Sequence, residues 1–115
     1  MLPADQLKEF ATVSEWVKAL PPMPQVKRKH LDALARWCEA EGSDPDALIA
    51  EGRSSRDAKL DAMRRLKAWV DKAEEGERAR HDLQNQVRSF YIFHGLRVLT
   101  KPYSDVYNRP AEPEG

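Results

Sequence analysis

No proline occurs between Pro45 and Pro102, and the intervening residues are broken only by Gly52, Gly76 and Gly95. Proline removes a backbone donor and clashes with the preceding helical turn, so a proline-free stretch of this length leaves long helices open to the chain. No segment alternates apolar and polar residues with the period of a half-buried strand. Helices therefore fit the intervals. Upstream, Pro21, Pro22 and Pro24 close one segment, and Gly42 with Pro45 brackets a turn.

Local signals place the helix ends. Thr12 and Glu15 have the spacing of a capping box, predicting a helix from about Val13 to Leu20, preceded by a turn of helix around residues 4–10. Pro24 suits the first turn of a second helix reaching Glu41, in which Leu31, Leu34, Ala35 and Cys38 repeat at i, i+3, i+4, i+7. Gly42 supplies a left-handed stop. Asp44 and Pro45 form an N-cap and first helical position for a short helix to about Ala50, with Gly52 as its terminator. Ser54 or Ser55 caps a long helix to about Glu75, with Leu60, Met63, Leu66 and Val70 on one side and Trp69 at its border. A last helix, from about Arg78 to His94, turns Leu83, Val87, Phe90 and His94 inward with Tyr91 and Phe93 at the flanks. The expected fold is an all-α bundle of four main helices plus one short helix. Residues 98–115, which include three of the prolines and carry no helical period, read as a tail or linker.

With 115 residues the chain has the length of one domain, and its lone cysteine, Cys38, has no internal disulfide partner. No leader and no apolar run of membrane-spanning length stands in the sequence, which reads as a soluble protein of a reducing compartment with no membrane partner. The formal net charge is zero, so strong nucleic-acid binding by bulk charge is not expected and local patches must supply any such contact. The charge is segregated. Lys27, Arg28, Lys29 and Arg36 oppose only Asp32 over residues 26–37; Arg53, Arg56, Lys59, Arg64, Arg65 and Lys67 oppose Asp57 and Asp61 over 53–70. Arg78, Arg80, Arg88, Arg97 and Lys101 oppose only Asp82 over 78–101, and acidic blocks at residues 39–51 and 71–77 separate the three stretches.

Catalytic motifs are missing. The sequence has no Gly-rich phosphate loop, no His-Glu-x-x-His, no paired cysteines and no nucleophile elbow, and His30, His81, His94 and Cys38 lack metal-ligand spacing. Glu74 and Glu75 sit beside Gly76 as a solvated helix end, and Tyr103 and Tyr107 have no base placed to activate them. No cofactor is implied. Trp16, Trp37 and Trp69, one in each of three main helices, read as core packing. The last helix is more informative, because His81, Gln84, Asn85 and Arg88 share a side at i, i+3, i+4, i+7 and form a strip about 10 Å long. Imidazole, carboxamide and guanidinium groups donate to phosphates and read base edges, whereas an ordinary solvated face is richer in Glu and Lys. No carboxylate stands at i−4 or i+4 of Arg88, where Gln84 and Ile92 are found, so Arg88 is expected to be free for an external anion.

Taken in order, TVSEWVKAL, HLDALARWCEAEG, DPDALIAEG and NQVRSFYIFHGL resemble the N-terminal core-binding domain of tyrosine recombinases, the phage-integrase family with a SAM-like helical bundle, over residues 12–97. The resemblance implies a helical domain over residues 1–97 that forms one jaw of a clamp on duplex DNA during integration or recombination. It further implies a tail over 98–115 leading toward a separate C-terminal catalytic domain, a cytoplasmic setting in bacteria, archaea or phage, and copies that assemble on DNA. No catalytic residue is carried over. The expected DNA contacts are Lys27, Arg28, Lys29, Arg64 and Arg65 on phosphates, with His81, Gln84, Asn85 and Arg88 near the groove. The competing reading is an all-α protein-interaction module.

Overall fold

A computed structural model describes residues 4–96, so the tail, with Arg97, Lys101, Tyr103 and Tyr107, lies outside the described residues. The described chain is all-α: α1 (Ala4–Leu7), α2 (Ala11–Ala19), α3 (Pro24–Glu41), α4 (Pro45–Ser54), α5 (Arg56–Ala73) and α6 (Glu77–Phe93). Several ends are made as the residue types demand. Asp44 accepts from the Ala47 amide at 2.7 Å and Ser55 from the Ala58 amide at 2.9 Å, each satisfying a donor that a helix N-terminus leaves open. Gly42 stands at φ 66°, where the Ser43 and Gly42 amides donate back to the Cys38 and Glu39 carbonyls and close α3.

Two ends differ from expectation, both because tertiary contacts take over a local signal. Thr12 does not cap α2, which begins at Ala11, two residues before the expected start, behind Phe10; its hydroxyl instead donates to Asp46 Oδ1 at 2.6 Å, tying α2 to α4. Gly52 does not end α4. The helix continues through it to Ser54, and a Cβ built on Gly52 would meet Leu96 Cδ1 at 2.7 Å. This glycine is a notch that admits Leu96. Because the opposing atom is the end of a flexible side chain, Gly52→Ala should be close to neutral, the helix-propensity gain offsetting the displacement. Gly52→Leu should instead expel Leu96 and lower stability by about 1–3 kcal/mol in a denaturant melt. Equal midpoints for parent and Gly52→Leu would show that the notch is not filled.

The core is aromatic and centred on α6. Trp16, Trp37, Phe90 and Tyr91 are buried together with Leu34, Leu48, Leu66 and Val87, and α6 packs against α2, α3 and α5. The polar ends of the rings are satisfied: Trp16 Nε1 donates to Ser89 Oγ at 3.1 Å and Trp37 Nε1 to the Tyr91 hydroxyl at 2.9 Å. At the flanks of the inner stripe Tyr91 turns in, Phe93 remains 41 % exposed, and His94 is half-buried. Trp69 is also half-buried, its ring 5.2 Å from Trp37 and beneath the Arg36 guanidinium at 5.7 Å.

Burial sets an alkaline limit. It pushes the Cys38 thiol up to about 12, with the Asp44 charge adding to the effect, and the Tyr91 phenol likewise up to about 12. The folded protein thus holds these protons more tightly than the unfolded chain. The associated stability is complete below about pH 9, near the free-thiol value, and is lost as pH rises toward 12. Denaturant midpoints should fall over that interval, and Cys38 should react with a thiol reagent at pH 8 only as fast as the chain unfolds. Rapid labelling of the native protein at pH 8 would contradict the buried placement.

Candidate nucleic-acid interface

The inner residues of α6 determine what its outer side presents. Leu83, Val87, Phe90 and Tyr91 are held in the core, so helical geometry turns His81, Asn85 and Ile92 to solvent, with Gln84 and Arg88 half-buried at the edge of the same strip. Asn85 Nδ2 lies 2.9 Å from His81 Nε2, a contact in which the amide donates when the imidazole proton is on Nδ1. Arg88 is engaged with a partner, in contrast to the free guanidinium expected from its neighbours in sequence. Asp82 pairs with Arg78 at 3.5 Å, and from Leu83 through Leu96 there is no carboxylate at all. Ile92, 43 % exposed, is the strip member that the charge-based reading passed over. Its position opposite Phe90 was already implied by the 100° step.

The other expected contact residues divide into engaged and available groups. Lys27 Nζ donates to the Val17 carbonyl at 2.7 Å and so closes the end of α2, while Arg28 stands 3.6 Å from Asp5 and 3.7 Å from Asp32. Lys29 and Arg64 are exposed and make no ion pair among the described residues. Arg65 is the most engaged. Its guanidinium donates to both oxygens of Glu41, with a closest approach of 2.7 Å, to Glu51 at 2.9 Å, and to Asp61. Three carboxylates around one cation hold its pKa above the ordinary arginine range, first through the hydrogen bonds to Glu41. Arg65 thus joins the end of α3 to α4 and α5, and Arg64 beside it faces solvent. Asp61 lies one helical turn away, but Glu51 and Glu41 lie 14 and 24 residues away in sequence, so charge spacing along one helix did not reveal those two.

A groove of about 430 Å³ opens between α1, α2 and the start of α3, with Val17, Pro22 and Leu31 as its apolar lining and Lys8, Lys27 and Arg28 as its cations. No group of three His, Cys, Asp or Glu side chains among the described residues is arranged to hold a metal ion. None of the described helices is long and apolar enough to cross a membrane. The chain matches no protein-family model, no curated protein and no solved structure.

Proposed function

We propose that this chain is a duplex-DNA-binding domain of the kind found in tyrosine recombinases and integrases, a clamp element without catalytic residues of its own. The observation that carries the reading is the outer side of α6: carboxamide, imidazole and guanidinium groups without a carboxylate from Leu83 onward, mounted on a helix whose opposite side is locked in the core. A rigid helix with such a face is suited to lie along the major groove, where these groups meet phosphates and base edges. Lys29 and Arg64 add cations that no carboxylate neutralises among the described residues, whereas Lys27, Arg28 and above all Arg65 serve internal contacts. The sequence resemblance over residues 12–97 supports the same reading, and strand transfer would belong to a separate catalytic domain.

A helical protein-interaction module is the second reading, favoured by the groove between α1, α2 and α3. Titration of labelled duplex at two salt concentrations separates the two, since phosphate-driven binding must weaken steeply as salt rises. Within the first reading, Lys29→Ala and Arg64→Ala should each weaken binding to all duplexes to a similar degree and make the salt slope shallower by about one, with the fold retained. Gln84→Ala combined with Asn85→Ala should weaken it further. Unchanged binding by both single variants, alongside measurable binding by the parent, would remove Lys29 and Arg64 from the contact surface.

A further inference from the structure

The outer side of α6 carries chemistry beyond phosphate contact. We infer that it selects A·T base pairs in the major groove, with Asn85 on adenine and Ile92 on the thymine methyl group; this rests on the duplex-DNA reading above. Adenine presents an N7 acceptor beside an N6 amino donor, which a carboxamide matches with one N–H and its oxygen. Asn85 is exposed, and its contact with His81 uses one amide N–H, leaving the second N–H and Oδ1 for that pattern.

Ile92 stands seven residues further along the same side, about 10 Å up the helix axis, and is 43 % exposed. That distance is close to three base-pair steps. An exposed aliphatic side chain in line with polar readers fits the thymine C5-methyl, the one apolar group of the major-groove edge. The rest of the strip argues against G·C. Cytosine N4 calls for a carboxylate acceptor, which this stretch lacks, and guanine calls for an extended arginine, whereas Arg88 is half-buried and engaged.

The experiment is a comparison of dissociation constants at one salt concentration for A·T-rich and G·C-rich duplexes. The A·T-rich duplex is also prepared with deoxyuridine for thymidine, which deletes the methyl group, and with 7-deazaadenine, which deletes N7. The parent should prefer the A·T duplex by roughly 5- to 100-fold. It should lose several-fold affinity with either modified base. Ile92→Ala should become indifferent to deoxyuridine while still sensing 7-deazaadenine, and Asn85→Ala should show the converse; Ile92 is exposed, so its truncation should leave the thermal midpoint in place. Equal affinity for A·T and G·C duplexes would overturn the inference while leaving the DNA-binding reading intact. An A·T preference that survives both base modifications would overturn it too, because the groove in use would then be the minor one. Absence of binding to every duplex at low salt would remove the DNA-binding reading itself.

Discussion

Phe90→Ala is expected to lower folding stability by about 3–5 kcal/mol, the largest effect of any substitution considered for this chain. Phe90 is fully buried, and its ring meets Trp16 edge-on at 5.2 Å, His94 at 5.1 Å and Tyr91 at 6.0 Å. Truncation therefore removes the centre of an aromatic cluster that α2 and α6 share. Its neighbours cannot easily close the gap, because Trp16 and Tyr91 are each held by a hydrogen bond at the other end, to Ser89 and Trp37. For a domain of about 100 residues each kcal/mol shifts the melting midpoint by roughly 4–8 °C, so a fall well above 10 °C should be seen. A shift of only a few degrees would mean that the inner side of α6 is not the one described.

Arg65→Ala should come next, at about 2–3 kcal/mol. Breaking an ion pair in which one partner is substantially buried leaves a charge without compensation, and the fully buried case costs about 3–5 kcal/mol. Here the Glu41 side chain is 15 % exposed while Glu51 and Asp61 are 44 % and 57 % exposed, so water softens the penalty for the outer two. Removing the guanidinium would also leave three carboxylates facing one another. Adding Glu41→Gln to Arg65→Ala should recover a clear part of the loss, which a double-mutant cycle measures. If Arg65→Ala melts with the parent, its carboxylate contacts are ordinary surface pairs and the residue returns to the set available to DNA.

Most of the helical framework could be read from spacing alone, because the relevant signals are local. Asp44, Ser55 and Gly42 act on amides or carbonyls within a turn of themselves, and the Leu83, Val87, Phe90 stripe needs only the 3.6-residue period. The errors occur where a distant residue intervenes. Thr12 was diverted from capping by Asp46, 34 positions away, and Gly52 from helix breaking by Leu96. The same rule governs the charged residues. Arg28 and Arg65 stood in basic blocks along the sequence, yet folding brought Asp5 to the first and Glu41 and Glu51 to the second. His81, Gln84, Asn85 and Arg88 share a helix side by geometry alone, and that grouping was legible; the engagement of Arg88 was not.

The end of α6 has a mechanical consequence. Gly95, at φ 80°, turns the chain so that the Leu96 amide reaches back to the Tyr91 carbonyl, while the Leu96 side chain drops into the Gly52 notch. His94 Nε2 donates to the Thr12 carbonyl at 2.8 Å, and Arg53 donates to the His94 carbonyl at 3.2 Å. These fastenings sit on two other helices, α2 and α4. Tension applied to the backbone beyond residue 96 would be divided among several attachments pulled together, instead of peeling α6 open one hydrogen bond at a time. In a force experiment this termination should yield abruptly at a single higher threshold, and Gly52→Leu should convert it into gradual unravelling from the last turn of α6.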